Sequence, residues 1–170
     1  MQINLTKVLN EPDSSMTVSG VADVGALEAQ SDMTFPSGAR FDMVFKNLMD
    51  CVTLSLKCEC EYLSECARCL KEVKGLVSFE FESIVKVDDE SGFMLDSDAV
   101  LISSSNRLDT DELVAGLLVG YLPMKVLCRE DCRGLCPTCG HDLNEGDCGC
   151  SKKEVDPRLL KLKALLDNDK

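Results

Sequence analysis

Between Leu127 and Cys150 the chain reads LCREDCRGLCPTCGHDLNEGDCGC, which places six cysteines in twenty-four residues. A cluster this dense is a disulfide framework, a redox dithiol or a metal cage. The first residues, MQINLTKVLNEPDSS, hold no apolar run behind a basic one, so a secretory leader is not expected and the cytoplasm is. In that compartment thiols stay reduced, and an odd total of 11 cysteines cannot pair completely. Paired CxxC spacings then favour metal.

The strongest signal is Cys136-Pro-Thr-Cys139 followed, eight residues on, by Cys148-Gly-Cys150. In such a knuckle the turn after the first cysteine aims backbone amides at the sulfurs, and Gly140, Gly146 and Gly149 allow the bends that bring four thiolates to one ion. Cys128 and Cys132 need two further ligands, and the unclaimed CxxC is Cys66 and Cys69 in ECARC. Elimination therefore pairs Cys66, Cys69, Cys128 and Cys132 as one site and Cys136, Cys139, Cys148 and Cys150 as another. A rival pairing, with Cys128 and Cys132 joined to Cys148 and Cys150, stays open. Two structural zinc ions are expected. The remaining cysteines read differently: Cys58 and Cys60 as small buried hydrophobes, Cys51 without a role. His141, the only histidine, reads as a solvent-facing loop residue rather than a ligand.

The rest of the chain alternates. Residues 16–24 and 40–48 have imperfect strand patterning, while CVTLSLKCEC sets Val52, Leu54, Leu56, Cys58 and Cys60 on one face. In LVSFEFESIVKV, Val77, Phe79 and Phe81 alternate with Ser78, Glu80 and Glu82. Strand, CARC turn and strand predict a hairpin with Cys66 and Cys69 at its tip. Residues 88–106 are acidic and Ser-rich and read as a solvated loop with a short strand near Val100–Ile102. DTDELVAGLLVGYLP predicts a helix over 109–120, acidic at its start, stopped by Pro123, and apolar along Leu113, Leu117 and Tyr121. Asp156, Pro157 and the Leu159, Leu162, Leu166 spacing predict a short closing helix. The fold class is α+β: an antiparallel sheet or partly closed barrel with few helices and a C-terminal zinc-ribbon-like module. Residues 1–120 form the expected β-rich domain and 121–170 the Cys-rich module.

Charge separates the same two parts. Residues 1–120 hold 9 basic against 21 acidic side chains, the whole excess of -12, whereas residues 121–170 balance at 9 against 9. An acidic surface repels phosphate backbones and attracts basic partners. The basic residues Lys125, Arg129, Arg133, Lys152, Lys153, Arg158, Lys161 and Lys163 gather around the cysteines, as a salt-balanced surface or a small RNA-facing patch. No apolar run is long enough to cross a bilayer.

Catalysis finds little support. Hydrolytic zinc keeps an open position, usually with His or carboxylate ligands, and all-Cys sites are closed. One histidine builds no Ser/His/acid constellation, and no glycine loop cradles phosphate. No small-molecule substrate is expected. The alternative to a structural role is a redox or metal-sensing protein using the CPTC pair, although no βαβ unit precedes that pair to make it thioredoxin-like.

CARCL after a strand, the run LPMKVLCREDCRGLCPTCGHDLN, the CGC pair and the ending DPRLLKLKALL together resemble the YceD family, the large ribosomal RNA subunit accumulation proteins. One departure is Asp142, where the family pattern more often has Asn. The resemblance implies a bacterial cytosolic protein, without known catalytic residues, needed for normal accumulation of large-subunit ribosomal RNA. With the acidity, it leads to the expectation of a non-enzymatic ribosome-biogenesis factor. Its acidic part would hold a basic ribosomal protein or assembly factor, and its cysteine module would approach large-subunit rRNA.

Overall fold

The computed structural model describes residues 1–49, 51–87, 94–95 and 99–150. The closing helix expected after Asp156, its basic residues and most of the acidic 88–98 stretch lie outside these. In chain order the elements are β1 (Gln2–Asn4), α1 (Thr6–Asn10), β2 (Ser15–Ala22), a 3-10 turn (Gly25–Leu27), β3 (Met33–Thr34), β4 (Ala39–Leu48) and β5 (Cys51–Glu65). There follow β6 (Glu72–Val87), β7 (Met94–Leu95), β8 (Ala99–Ile102), β9 (Arg107–Asp109) and α2 (Thr110–Tyr121).

The main sheet runs β2-β4-β5-β6-β8-β7 and curls into a half-barrel, with β3 added beside β5. Period-two alternation builds it. On β4, Phe41, Met43 and Phe45 point inward, and on β5 so do Val52, Leu54, Leu56, Cys58 and Cys60. The β5–β6 register then sets Leu56 opposite Phe81, Cys58 opposite Phe79 and Cys60 opposite Val77. A slip of one residue would turn this whole row out to water, so burial of one face holds the register.

The half-barrel agrees with the expected sheet or partly closed barrel, with one refinement and one correction. The sheet is not wholly antiparallel, because β8 pairs parallel to the end of β6, from Ile84 with Ala99 to Val87 with Ile102. Parallel neighbours need a long return connection, and eleven residues separate Val87 from Ala99 in the chain. Tyr121 does not lie in the buried stripe with Leu113 and Leu117. It is 46% exposed, and its ring stacks on Phe79 with centroids 4.1 Å apart.

Helix α2 forms where its signals put it. The Asp109 carboxylate accepts the Asp111 N–H at 3.0 Å, and Asp111 and Glu112 lie in the positive first turn. Leu113, Val114, Leu117 and Leu118 are buried in the core that lines the sheet. Three small elements carry no periodic signal. The β1–β9 pair and α1 are held by tertiary contacts instead, for instance by Asn47, 1% exposed, which donates to the Val8 carbonyl at 2.8 Å. Among the described residues no helix is long and apolar enough to cross a membrane.

Candidate metal centres

The β5–β6 hairpin closes on Cys66 to Lys71, and the turn is a knuckle. Cys66 N–H donates to the Lys71 carbonyl at 2.8 Å, and Leu70 N–H donates back to the Cys66 carbonyl at 2.9 Å. The turn at Cys136 repeats this pattern: Cys136 N–H donates to the His141 carbonyl at 2.8 Å and Gly140 N–H to the Cys136 carbonyl at 2.9 Å. Two CxxC segments, seventy residues apart in sequence, thus adopt one ligand-presenting geometry.

The chain after α2 brings Cys128 and Cys132 to the first knuckle. The sulfurs of Cys66, Cys69, Cys128 and Cys132 all lie within 4.8 Å of one another, with Cys66 to Cys132 at 3.8 Å and Cys69 to Cys128 at 3.5 Å. Cys136, Cys139, Cys148 and Cys150 form a second group within the same 4.8 Å limit. Cys128 and Cys132 therefore do not meet Cys148 and Cys150. Four thiolates around zinc at about 2.3 Å span tetrahedral edges of about 3.8 Å, so the donor sets fit such an ion. Both groups could hold a metal ion. The first is the more enclosed, with Cys66, Cys69 and Cys132 buried; in the second only Cys136 is.

Electrostatics support cation binding. The backbone N–H groups of Cys139 and Thr138 hold the Cys136 thiol down to about 6. Burial opposes ionisation of Cys66, yet the N–H groups of Cys128, Arg68 and Cys69 still bring it down to about 6. Further thiolates meet resistance. Burial and then the Cys132 and Cys69 sulfurs push Cys128 up to about 12, and the Cys139 and Cys148 sulfurs push Cys150 up to about 12. Four anions so close together need a bound cation to coexist.

Several residues that motif spacing did not single out join the two groups. Arg68, inside CARC, accepts the Leu135 N–H at 3.1 Å and donates from Nη1 to the Cys132 carbonyl at 2.6 Å. Gly134, at φ 75°, passes so close that an added Cβ would sit 2.9 Å from the Arg68 carbonyl oxygen. Lys71 Nζ pairs with Asp142 at 2.7 Å and with Glu145 at 3.0 Å. The Lys71 ammonium, then the Asn144 N–H, hold the Asp142 carboxyl down to about 2. Asn144 links both halves: its Nδ2 donates to Cys132 Sγ at 3.4 Å, and its Oδ1 accepts the Arg133 N–H at 2.8 Å. A polar residue flanking a knuckle carries no period or motif spacing, which is why these escaped the sequence.

The remaining candidates divide as expected. Cys58 and Cys60 are buried in the sheet core, and burial pushes the Cys58 thiol up to about 12. Cys51 is exposed. His141 is exposed and outside both groups. Among the described residues no other set of three or more His, Cys, Asp or Glu side chains converges in this way.

Fold and site define a class: α+β proteins whose half-barrel hairpin shares a four-cysteine cluster with a loop module that carries a second. The chain belongs to the YceD family, since the family model described as "Large ribosomal RNA subunit accumulation protein YceD" matches residues 54–166. It is also similar to an uncharacterized protein of Mycobacterium tuberculosis, 32% identical over 105 residues, 61% of this chain and 50% of that one. An uncharacterized protein of Mycobacterium leprae is 30% identical over 108 residues, 63% of this chain and 49% of its own. The chain spans about half the length of these relatives. No solved structure matches it.

Proposed function

We propose that this protein is a non-enzymatic ribosome-biogenesis factor that supports the synthesis, processing or stability of large-subunit rRNA. Its cysteine groups would hold two structural zinc ions. The observation that carries the structural part is the composition of the two groups. Each is four thiolates, without the histidine or carboxylate ligands and open position of hydrolytic sites. Bound zinc would cross-link here rather than activate water. Cys66 and Cys69 would tie the hairpin to the loop through Cys128 and Cys132, and the other four would close the loop on itself. Membership of the family supports the biological process.

The acidic surface supports a basic protein partner. The solvent face of the sheet carries Asp42, Glu59, Glu61, Glu80 and Glu82 exposed. A cytoplasmic protein with this surface would hold a ribosomal protein or assembly factor by charge and shape, while its neutral module stands nearer to RNA. Affinity purification at low and high salt tests this. Pre-ribosomal particles or large-subunit proteins should be recovered at low salt, and a lysate that yields neither at low salt overturns the reading. Metal analysis with thiol titration tests the zinc. About two zinc ions per chain with protected thiols are expected; iron-thiolate absorption bands, or a readily cycling CPTC dithiol, would replace this reading with metal sensing or redox chemistry.

A further inference from the structure

An open groove of about 1000 Å³ runs between the end of β5, the Cys66–Lys71 knuckle and the chain leaving α2. Its walls include Met33, Leu63, Leu70, Val119, Leu122 and Met124. Leu70 is 60% exposed, Val119 53%, and Met124 fully so. So much apolar surface gathered in one concavity is uncommon on a free surface and marks an interaction site.

Leu70 supplies a second, independent observation. It sits at φ 60°, the left-handed region that a branched-chain residue avoids. Gly140 occupies the equivalent place in the second knuckle, at φ 74°, with the same hydrogen bond to the first cysteine's carbonyl. Glycine would satisfy the turn at Leu70 without strain. A large apolar side chain is instead held there and turned to solvent, where it contributes nothing to the core. Strain kept at an exposed position points to function.

The groove's charges choose among occupants. Asp32, Glu65 and Glu72 line it against one cation, Lys125. Three carboxylates repel a nucleic-acid backbone, and a second copy of a chain with net charge -12 is repelled likewise. The groove is also open along its length, whereas small-molecule sites bury most of their ligand's surface. We infer that it docks a segment of a protein partner that inserts apolar side chains beside Leu70 and Met124 and sets flanking lysine or arginine against Asp32, Glu65 and Glu72. This rests on the proposed function and names the surface through which the basic partner is held. Because Cys66 and Leu70 belong to one knuckle, docking would read whether the first cysteine group is assembled.

The test is a photo-crosslinking amino acid at position 124 of the full chain, in growing cells, with adducts mapped by mass spectrometry. The expected adduct lies in a Lys- or Arg-flanked apolar segment of a large-subunit ribosomal protein or assembly factor. Its yield should fall roughly tenfold or more with Leu70→Gly, the size of effect expected for an anchoring side chain. Zinc content and thermal midpoint should be no lower, since that substitution relieves the turn. Met124→Glu, at a fully exposed position, should reduce particle recovery in parallel. No adduct, an adduct to RNA, to a second copy or to residues 151–170 of the same chain, or an unchanged yield in Leu70→Gly, overturns the inference. Wild-type protein that recovers no pre-ribosomal particle defeats the proposed function itself. Particles recovered equally by wild type, Leu70→Gly and Met124→Glu defeat only the groove.

Discussion

Cys51 and Cys58 share one strand and face opposite ways, so the same thiol has two chemistries. Cys58 is buried with its thiol held up to about 12, first by burial, then by Cys60 and Glu59, while Cys51 stands in solvent. Only the thiolate alkylates. Treatment of the zinc-loaded protein with iodoacetamide at mildly alkaline pH should label Cys51 and leave Cys58 unmodified until denaturant is added. Equal labelling of both in the native state, read by peptide mass spectrometry, would place Cys58 outside the core. Core positions should be costlier to alter. Phe45 and Leu54 are wholly buried, and Phe45→Ala should lose about 3–5 kcal/mol by urea unfolding, through lost transfer energy and a residual cavity.

The β5–β6 hairpin and the loop module meet through backbone as much as through sulfur, and two glycines separate these contributions. Gly134 and Gly140 share a left-handed backbone near 75°, but a Cβ at Gly134 meets the Arg68 carbonyl and one at Gly140 meets nothing within 4 Å. Gly140→Ala should therefore cost only the conformational strain, about 1 kcal/mol. Gly134→Ala adds a clash with fixed backbone and should cost about 2–3 kcal/mol. Thermal midpoints that fall equally in both would show that the Arg68 contact does not hold the module in place. Asn144→Ala removes the hydrogen bond to Cys132 Sγ. Metal ligands lean on such outer partners, so under the proposed zinc binding the affinity of one site should drop on the order of tenfold, measured by competition with a chromogenic chelator.

Among the described residues the sheet core and the first cysteine group form separate clusters of buried side chains. The main core of buried residues runs from Leu5 to Leu118 and includes none of the eight clustered cysteines; Cys66, Cys69 and Cys132 form a smaller cluster with Val73, Leu127 and Leu135. Strong chelation should therefore preserve the β-sheet signal in far-ultraviolet circular dichroism while abolishing amide protection over 126–150. Simultaneous loss of both would make the ions part of the sheet's own folding. With the proposed zinc ions bound, Cys148→Ser should release one and leave the hairpin joined to Cys128 and Cys132, whereas Cys66→Ser should release the other and free the module from the sheet.

The residues themselves determined whatever depends on local spacing. Period-two alternation on β5 and β6 marked the inward row, the Asp109 cap and apolar stripe marked α2, and thiols at CxxC and CxC intervals marked the candidate metal ligands. Each of these is written within a few residues of chain, because strand pleat, helix pitch and knuckle turns repeat over such distances. Tertiary structure decided what depends on segments far apart meeting. It selected which four sulfurs share each group, set β8 parallel to β6, and placed Asp142 on Lys71 and Arg68 under Gly134. It also gathered Leu70 and Met124 in one groove with three carboxylates. Those contacts arise from sheet curvature and from the path of the chain out of α2, and neither quantity has a period that a sequence can display.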